Sequence, residues 1–300
     1  VNPTCPISIG AYRRFTGGEK DEEIEGTKAE FHRTLFGEKY ALGSIVRWLK
    51  DLDHQEKTDP NFNLLKGIIK FINHSQLLPN GATIETVTPS DVSFKNQAGS
   101  IVTLNELSDG YKSVLGLVLE IIRLLYKNDG SIETNTENWV IKNAAIVLID
   151  EIDAHLHPTW QTKIGEWFTQ YFPNVQFILT THSPLICRAC GENGSIWRLK
   201  ATNEIPKYYK ITGTEREKLV YADILEAYDT RVFGNNVERN QKTQILLDKY
   251  VALKSKTDLT PQERVEMTEM ADIIKQIYET LPKEDSLEYR IDKFLNSVLP

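Results

Sequence analysis

Cysteine is scarce in this sequence, and long apolar runs are missing. Three cysteines among 300 residues are too few and too scattered for the disulfide framework of a small secreted domain. Cys187 and Cys190 have redox-motif spacing but follow a predicted helix start, so we interpret them as structural. No window approaches the apolar length that crosses a membrane, and no secretory signal precedes Ile7. We therefore expect a cytoplasmic protein with no membrane partner, which argues against a membrane-embedded transporter.

Basic residues are too few to balance the acidic ones. The formal net charge is -7 at pH 7, which does not favour nucleic acid as a general partner. Arg13 and Arg14 nevertheless stand beside two aromatic residues. A second, diffuse basic group consists of Lys200, Lys207, Lys210, Arg216 and Lys218. Neither group identifies a ligand, so nucleic acid stays a partner to be tested.

The usual phosphate-binding loop is also missing from these residues. No Gly-x-x-x-x-Gly-Lys-Ser/Thr run occurs, which is the loop whose backbone N–H groups and lysine cradle nucleotide phosphates. The one early glycine pair, Gly17 and Gly18, is followed by Glu19 and Lys20 with no helix signal behind it. A chain limited to these residues would lack the usual hold on the β-phosphate of a nucleotide.

The most informative stretch that is present runs from Ala144 to Pro158. Ile146 to Ile149 form a continuous apolar run, typical of a parallel strand covered on both faces, and such sheets bind ligands at the carboxyl ends of their strands. Asp150 and Glu151 emerge at that end. Adjacent strand residues point to opposite faces, so the two acids act together only where the strand ends or twists.

These two acids suit nucleotide hydrolysis. One carboxylate can hold Mg²⁺ together with phosphate oxygens, and the other can orient or deprotonate an attacking water. The alternative is an acidic strand end that only caps the next helix.

Two further segments have the same character. Ser108 or Asp109 can cap a helix that continues into the apolar run from Val114, and the start of a helix with a glycine at Gly110 can bind an anion such as phosphate. Downstream, the predicted strand Val175 to Leu179 ends at Thr180, Thr181 and His182. The histidine can contact a terminal phosphate or orient Glu151 and its water. The alternatives are an ordinary helix cap and a histidine that satisfies a loop carbonyl.

Together the three segments resemble the ATP-binding-cassette (ABC) ATPases, and within them the soluble AAA-type branch of SMC-like, RecF-like and overcoming-lysogenization-defect proteins. The resemblance covers the span from Ile7 to about Leu199. It implies an α/β fold, that of a P-loop NTPase of ABC-ATPase type, with ATP and Mg²⁺ as cofactors. In this family Ile7 to Phe15 looks like the strand and arginine-bearing turn after the P-loop. With Val1 at the start instead of methionine, we expect that the P-loop portion is missing from the N-terminus; the alternative is a natural pseudo-ATPase.

The resemblance also implies roles for individual residues. Ile146 to Glu151 looks like the Walker B strand, Asp153 to His157 like the D-loop and His182 like the switch histidine. It follows that Asp150 helps to hold Mg²⁺, that Glu151 is the catalytic base and that His182 contacts the γ-phosphate.

The segment Leu107 to Tyr111 looks like the signature motif, which contacts a nucleotide bound by another protomer through Ser108 and Gly110. Asp109 stands where the commonest signature has glycine, a substitution familiar in the soluble branch. The nucleotide-contacting set implied by the resemblance comprises Leu107, Ser108, Asp109, Gly110, Tyr111, Lys112 and Asp153.

The chain divides by composition into two parts. We expect an ABC-type ATPase domain over residues 1–236, with a helical lobe at about 20–80, and a helical appendage for assembly or partner docking over residues 237–300. In the first part we predict helices at Lys28–Phe36, Tyr40–Leu52, Asn61–Asn73 and Tyr221–Tyr228, a strand at Thr83–Val87, a hairpin from Val92 to Leu104, a loop at Asn128–Asn138 and a sheet-closing strand at Tyr208–Ile211. In the second we predict helices at Gln244–Lys254, at Pro261–Thr280 with Thr260 as cap, and at Ser286–Val298.

The tail is too short and too helical for the nuclease domain that OLD-type proteins append. The chain most resembles an ATPase subunit that acts through another protein, as in Septu-type and retron-linked bacterial anti-phage defence systems, where an HNH nuclease partner would cut. This implies a homodimer or higher homo-oligomer that closes around ATP and controls an effector. The alternatives are a nucleotide-independent scaffold that holds an effector, and a DNA-repair ATPase of the RecF or SMC type.

Overall fold

The computed structural model describes most of the chain in several stretches. The described residues are 6–10, 42–78, 81–88, 91–135, 139–154, 156–200, 207–222, 224–228, 230, 232–233, 241–256 and 258–278. The chain divides into two compact units, Val1–Phe233 and Gly234–Pro300. The first contains the α/β part and the acidic strand end, and the second contains a pair of helices.

Strands and helices alternate along the first unit. Its strands are β1 Ile7–Ile9, β2 Thr83–Val87, β3 Val92–Lys95, β4 Ile101–Thr103, β5 Thr134–Asn135, β6 Val140–Ile141, β7 Ala145–Ile149, β8 Val175–Leu179, β9 Trp197–Leu199 and β10 Tyr208–Lys210. Its helices are α1 Leu42–Thr58, α2 Leu64–His74, α3 Asp109–Asp129, α4 Pro158–Gln161, α5 Ile164–Tyr171, α6 Pro184–Arg188, α7 Gly213–Tyr221 and α8 Ile224–Tyr228.

A parallel sheet of order β1-β7-β8 brings the acidic and histidine-bearing strand ends to one edge. Ile149 lies in register with both Ile9 and Leu179, so the three strands end side by side. The ladder continues one step further, because the N–H of Asp150 donates to the carbonyl of Ile9 over 2.8 Å and the N–H of Thr180 donates to that of Ile149 over 3.0 Å. The α/β fold, a strand that ends at Ile149 before the two acids, and the strand Val175–Leu179 are therefore confirmed.

The two faces of this sheet differ in burial. Val147 and Ile149 are buried within the main hydrophobic core. On the other face Ile146 and Leu148 are only half-buried, and the side chain of Ile178 is 47% exposed. Among the described residues, the expectation of a strand covered on both faces thus holds for one face only. On that face, β7 shares its hydrophobic core with α3 and α5.

Helix α3 is buried on all sides along Ser113 to Leu125. An ion pair lies inside this buried stretch, between Glu120 and Arg123, and both side chains are 7% exposed. The antiparallel sheet β2-β3-β4 leads into the helix. Its β3–β4 hairpin turns through Asn96 and Gly99 as predicted, and the left-handed backbone of Gly99, with φ 82°, suits a residue without Cβ.

A single 3-10 turn over Leu104–Glu106 connects this sheet to α3. Thr103 and Glu106 form a capping box around the turn, in which the Thr103 N–H donates to Glu106 Oε2 over 2.6 Å. The hydrogen bonds from the backbone and hydroxyl of Thr103 lower the pKa of Glu106. The turn therefore fixes the path by which the chain reaches Ser108.

Two of the helices predicted for the helical lobe are confirmed as α1 and α2, which begin and end a few residues from the predicted bounds. The indole N–H of Trp167 in α5 donates to the carbonyl of Ser75, the residue after α2, over 2.8 Å. This hydrogen bond connects the end of α2 to α5. The predicted helix over Lys28–Phe36 lies outside the described residues.

Two other predictions were wrong in this unit, and a third was only partly right. The stretch Asn128–Asn138 is not simply a loop, because it includes the end of α3 and strand β5, which pairs with β6. Strand β10 does not close the parallel sheet; it pairs antiparallel with β9 in a separate two-stranded sheet. The predicted helix Tyr221–Tyr228 is confirmed only over Ile224–Tyr228, and α7 before it was not predicted.

The second unit contains α9 Gln241–Lys254 and α10 Pro261–Tyr278. Thr260 precedes α10, accepts a 3.3 Å hydrogen bond from the Glu263 N–H at its hydroxyl, and donates its own N–H to Glu263 Oε2 over 2.9 Å. This capping arrangement confirms the predicted start at Pro261. The helix predicted at Ser286–Val298 lies outside the described residues. Among the described helices of both units, none is long and apolar enough to cross a membrane.

Candidate nucleotide site

The site is built on the turn that follows β7. The strand ends at Ile149, and Asp150 and Glu151 belong to a turn that the Ala154 N–H closes by donating to the Glu151 carbonyl over 2.9 Å. Glu151 has φ 45°, in the left-handed region that residues with a Cβ rarely adopt. Because the strand ends here, both acids can face the same space outside the sheet. This meets the condition under which two adjacent acids can share one role.

Thr180, the residue after β8, connects the two acids. Its hydroxyl accepts a 2.7 Å hydrogen bond from the Glu151 N–H and donates to Oδ1 of Asp150. Its carbonyl accepts from the Ile152 N–H over 3.0 Å. The sequence reasoning gave Thr180 no role. A hydroxyl residue at the end of the strand beside an acidic strand end was the signal that could have indicated one.

Asp153 is held in a similar way by the next residue of the β8 end. The hydroxyl of Thr181 donates to Asp153 Oδ1, and the backbone N–H of His182 also approaches that oxygen, over 3.4 Å. Asp153 was assigned to the nucleotide-contacting set, and the structure places its carboxylate against the β8 end of its own chain.

Glu151 and His182 both project from the edge. Glu151 Oε1 lies 3.9 Å from His182 Nε2, which is too long for a direct hydrogen bond but short enough for ionic attraction when the imidazole is protonated. The side chains are 47% and 86% exposed, respectively. The predicted catalytic pair is therefore brought together in one accessible place.

The signature segment begins α3. Ser108 is the N-cap residue, but its exposed hydroxyl makes no capping hydrogen bond, so the predicted side-chain cap is not formed. Asp109 is 98% exposed and lies 3.7 Å from the ammonium group of Lys112. Leu107 and Tyr111 are half-buried and pack against the main core. These two residues thus anchor the segment, while Ser108 and Asp109 face solvent.

Gly110 places the signature next to the D-loop segment of the same chain. A Cβ built on Gly110 would lie 3.8 Å from the Cβ of His157, at ordinary van der Waals distance. His157 is the N-cap residue of α4, and its Nδ1 accepts a 3.3 Å hydrogen bond from the Thr159 N–H. The start of α3 and the end of the D-loop segment therefore lie against each other.

The spaced cysteines are placed away from this chemistry. Cys187 is buried in a second, smaller hydrophobic cluster, and burial is the main cause that raises its pKa to about 12. Burial also raises the pKa of Cys190. Both groups are thiols at neutral pH, and a thiol is a weak nucleophile, which supports the structural interpretation.

The donor atoms at the edge fit a hard divalent cation. The carboxylate of Asp150 is exposed at the strand end and Glu151 lies beside it, and oxygen ligands of this type suit Mg²⁺ that is shared with phosphate groups. A parallel sheet with helices in its core and polar residues at the carboxyl ends of its strands is consistent with a P-loop NTPase fold of the ABC type.

The family follows from the sequence. Residues 30–188, more than half of the chain, match the family described as "AAA domain, putative AbiEii toxin, Type IV TA system". The chain therefore belongs to this family.

Curated relatives resemble the chain over shorter stretches. It is 39% identical over 113 residues to "Retron Vc95 probable ATPase" of Vibrio cholerae serotype O1 biovar El Tor, covering 38% of this chain and 20% of the relative. It is 32% identical over 181 residues to "Septu protein PtuA" of Bacillus mycoides (strain KBAB4), covering 58% of this chain and 23% of the relative. The chain thus spans about a fifth of the length of these relatives. The predicted likeness to retron-linked and Septu-type ATPase proteins is confirmed.

Among solved structures, the SMC head domain from Thermotoga maritima matches 55% of this chain and 52% of its own, at 16% identity and a TM-score of 0.35. This score is low, so the assignment rests on the family match and on the parallel sheet with its polar edge.

Proposed function

We propose that the chain contributes the hydrolytic edge of an ATPase that works with Mg²⁺. The single observation that carries this proposal is the convergence of Asp150, Glu151 and His182 at the carboxyl edge of β7 and β8, with Glu151 Oε1 3.9 Å from His182 Nε2. In this proposal Asp150 helps to hold the cation, Glu151 orients a water and accepts its proton, and His182 donates a hydrogen bond to the γ-phosphate.

The reaction is hydrolysis of the terminal phosphoanhydride. The oxygen of the water bound by Glu151 forms a bond to the γ-phosphorus while the bond from that phosphorus to the bridging oxygen breaks, giving ADP and phosphate. When bound, Mg²⁺ would neutralise charge on the phosphate oxygens. Glu151 takes the proton of the water, and its 47% exposure allows that proton to pass on to solvent.

The signature segment acts in trans in this proposal. Ser108 and Gly110 of one protomer contact the nucleotide bound by another, in a homodimer or higher homo-oligomer that closes around ATP. The exposed Ser108 hydroxyl, which caps no helix N–H, and the anchoring of Leu107 and Tyr111 in the core support this role. Asp109 and Lys112 follow Ser108 in the same segment, with Asp109 Oδ1 3.7 Å from Lys112 Nζ.

The proposed biological role is bacterial anti-phage defence. It is supported by the similarity to proteins named for retron and Septu systems. The ATPase would control an effector protein, of which an HNH nuclease is an example, and the α9–α10 unit would serve assembly or partner docking. A second candidate is a scaffold that holds the effector without turning over nucleotide. A Gly-x-x-x-x-Gly-Lys-Ser/Thr run found upstream of Val1 in the gene would favour the ATPase, and its proven absence would favour the scaffold.

The decisive experiment measures ATP binding and turnover with Mg²⁺. The 300-residue chain is compared with the protein expressed together with whatever sequence precedes Val1 in its gene, each with and without Glu151→Gln. General bases contribute about 10²–10⁴-fold, so we expect Glu151→Gln to lower turnover by about that factor while ATP still binds.

Glu166→Gln is the matched control, because Glu166 is an exposed carboxylate on α5. We expect this variant to behave like the wild-type protein. Equal turnover in Glu151→Gln and wild type would contradict the catalytic assignment. Absence of nucleotide binding by both forms of the protein would support the scaffold.

A further inference from the structure

Thr180 is bonded to four successive residues at the end of β7. Its N–H donates to the carbonyl of Ile149 and its carbonyl accepts from the N–H of Ile152, each over 3.0 Å. Between them, its hydroxyl donates to the carboxylate of Asp150 and accepts the N–H of Glu151 over 2.7 Å. The backbone contacts extend the sheet and are open to any residue except proline, whereas the two hydroxyl contacts require serine or threonine.

The hydroxyl contact coincides with an unfavourable backbone conformation. Glu151 has φ 45°, and a residue with a Cβ stays in the left-handed region only when its surroundings hold it there. The bond from its N–H to the Thr180 hydroxyl fixes the orientation of the peptide group directly before the Glu151 side chain. Release of that N–H would allow the backbone to relax and would redirect the carboxylate.

The same hydroxyl orients the neighbouring carboxylate. A carboxylate that is to bind a cation is commonly held by a second hydrogen bond from a residue that does not touch the cation. Donation from the Thr180 hydroxyl to Asp150 Oδ1 is such a bond. One side chain thus forms hydrogen bonds with both acidic residues of the edge.

Thr181 makes a similar pair of hydroxyl hydrogen bonds. The Thr181 hydroxyl donates to Asp153 and accepts the Ser183 N–H over 2.9 Å. The two threonines therefore attach the acidic turn to the segment that carries His182, so a shift of that segment would move the turn with it.

We propose that Thr180 is a positioning residue: its hydroxyl holds Glu151 in the left-handed conformation and orients Asp150, without touching the nucleotide. For its effect on hydrolysis this inference rests on the proposed ATPase function. Its structural part concerns the backbone of Glu151 alone and is tested separately.

The first test measures steady-state ATP hydrolysis by Thr180→Val, which keeps the shape of threonine and removes the hydroxyl. Misplacement of a reacting group by about 1 Å costs about 10²-fold, so we expect kcat to fall by about 10- to 100-fold with little change in KM. Thr180→Ser restores the hydroxyl and should recover most of kcat. Thr169→Val should have no effect, because the exposed Thr169 hydroxyl only donates to the Glu166 carbonyl within α5.

The second test needs no enzymatic activity. Glycine adopts the left-handed region without strain, so Glu151→Gly should have a higher Tm than Glu151→Ala when Thr180 holds the backbone at φ 45°. In the Thr180→Val background the Glu151 N–H loses its hydrogen bond, so the backbone there is less constrained and the advantage of glycine over alanine should shrink. Thr180→Ala, which removes the same hydroxyl and leaves more room, serves as a second background.

The outcomes separate the inference from the proposed function. The inference is overturned, whatever the ATPase activity, if Glu151→Gly exceeds Glu151→Ala in Tm by the same amount with wild-type Thr180, with Thr180→Val and with Thr180→Ala. A kcat of Thr180→Val equal to wild type overturns the positioning of the catalytic acids. A reduced advantage of glycine, in a protein that hydrolyses no ATP even when it is expressed with the sequence preceding Val1 in its gene, supports the hold of Thr180 on Glu151 and overturns the ATPase function instead.

Discussion

The guanidinium group of Arg123 and the carboxylate of Glu120 form two hydrogen bonds inside the buried part of α3. Arg123 Nε donates to Glu120 Oε2 over 2.7 Å, and Nη2 donates to Oε1 over 2.8 Å. The two residues lie about one turn apart on α3, the helix that begins at the signature segment. Removal of one partner of a buried charged pair leaves the other charge uncompensated, and this destabilises the fold.

We expect Arg123→Met to destabilise the first unit strongly, because it leaves the Glu120 carboxylate buried without its cation. The expected loss is about 3–5 kcal/mol in the free energy of unfolding, measured by urea denaturation. The double variant Glu120→Met with Arg123→Met removes both charges and should recover most of that loss. A single variant as stable as wild type would show that the pair does not depend on mutual compensation.

Gly165 and Gly67 should respond in opposite directions to alanine. A Cβ on Gly165 in α5 would overlap the backbone carbonyl of Ala189 at the end of α6, and backbone cannot turn aside as a flexible side chain does. We expect Gly165→Ala to cost about 1–3 kcal/mol, as other overpacked sites do. Gly67 lies within α2 with nothing within 4 Å of the added atom, so Gly67→Ala should stabilise by up to about 1 kcal/mol. Thermal unfolding of both variants checks this, and equal Tm values would contradict the close approach of α5 and α6.

Ser108→Arg should block ATP-dependent assembly. The Ser108 side chain is exposed at the start of α3, so a large side chain fits the isolated chain but would obstruct a partner that closes over the signature. The measurement is the molar mass by light scattering with ATP and Mg²⁺, in a Glu151→Gln background that stops hydrolysis. Thr169→Arg, at another exposed position, is the control. Unchanged assembly of Ser108→Arg would count against the signature assignment.

The first turn of α10 should loosen in acid. The hydrogen bond from Lys256 is the largest of the contacts that lower the pKa of Glu263 from its ordinary value near 4.5 to about 2. A group with a lowered pKa stabilises the folded form above its unfolded pKa, and this contribution is lost as the pH falls from about 4.5 through about 2. Hydrogen–deuterium exchange of the full chain, corrected for the intrinsic rate, should show protection near Thr260 decreasing in that range. In Glu263→Gln that decrease should be absent.

The strand ends at the site were predictable from local pattern. Ile146 to Ile149 and Val175 to Leu179 are short apolar runs that end in polar residues, and parallel strands put such ends at one edge. The proximity of Glu151 and His182 follows from that rule. The helix starts at Asp109 and Pro261 were likewise indicated by local residues, which act within one turn of the chain.

Contacts between distant residues were not predictable in the same way. Strand β10 was expected in the main sheet, but it pairs with β9, and a three-residue strand carries no mark of its partner. Helix α7 has no clear apolar face, with only Leu219 and Val220 buried, so its sequence lacks the periodic signal of a surface helix.

The sequence by itself determined which residue types arrive at the edge: two acids from one strand and a histidine from the next, because the alternation of apolar runs and polar ends is a local property. The tertiary structure alone decided how they are held. The left-handed backbone of Glu151 and its bond to Thr180, 29 residues away, exist because β7 and β8 lie in register. A bond of that kind depends on the pairing of two strands, which no short stretch of sequence contains.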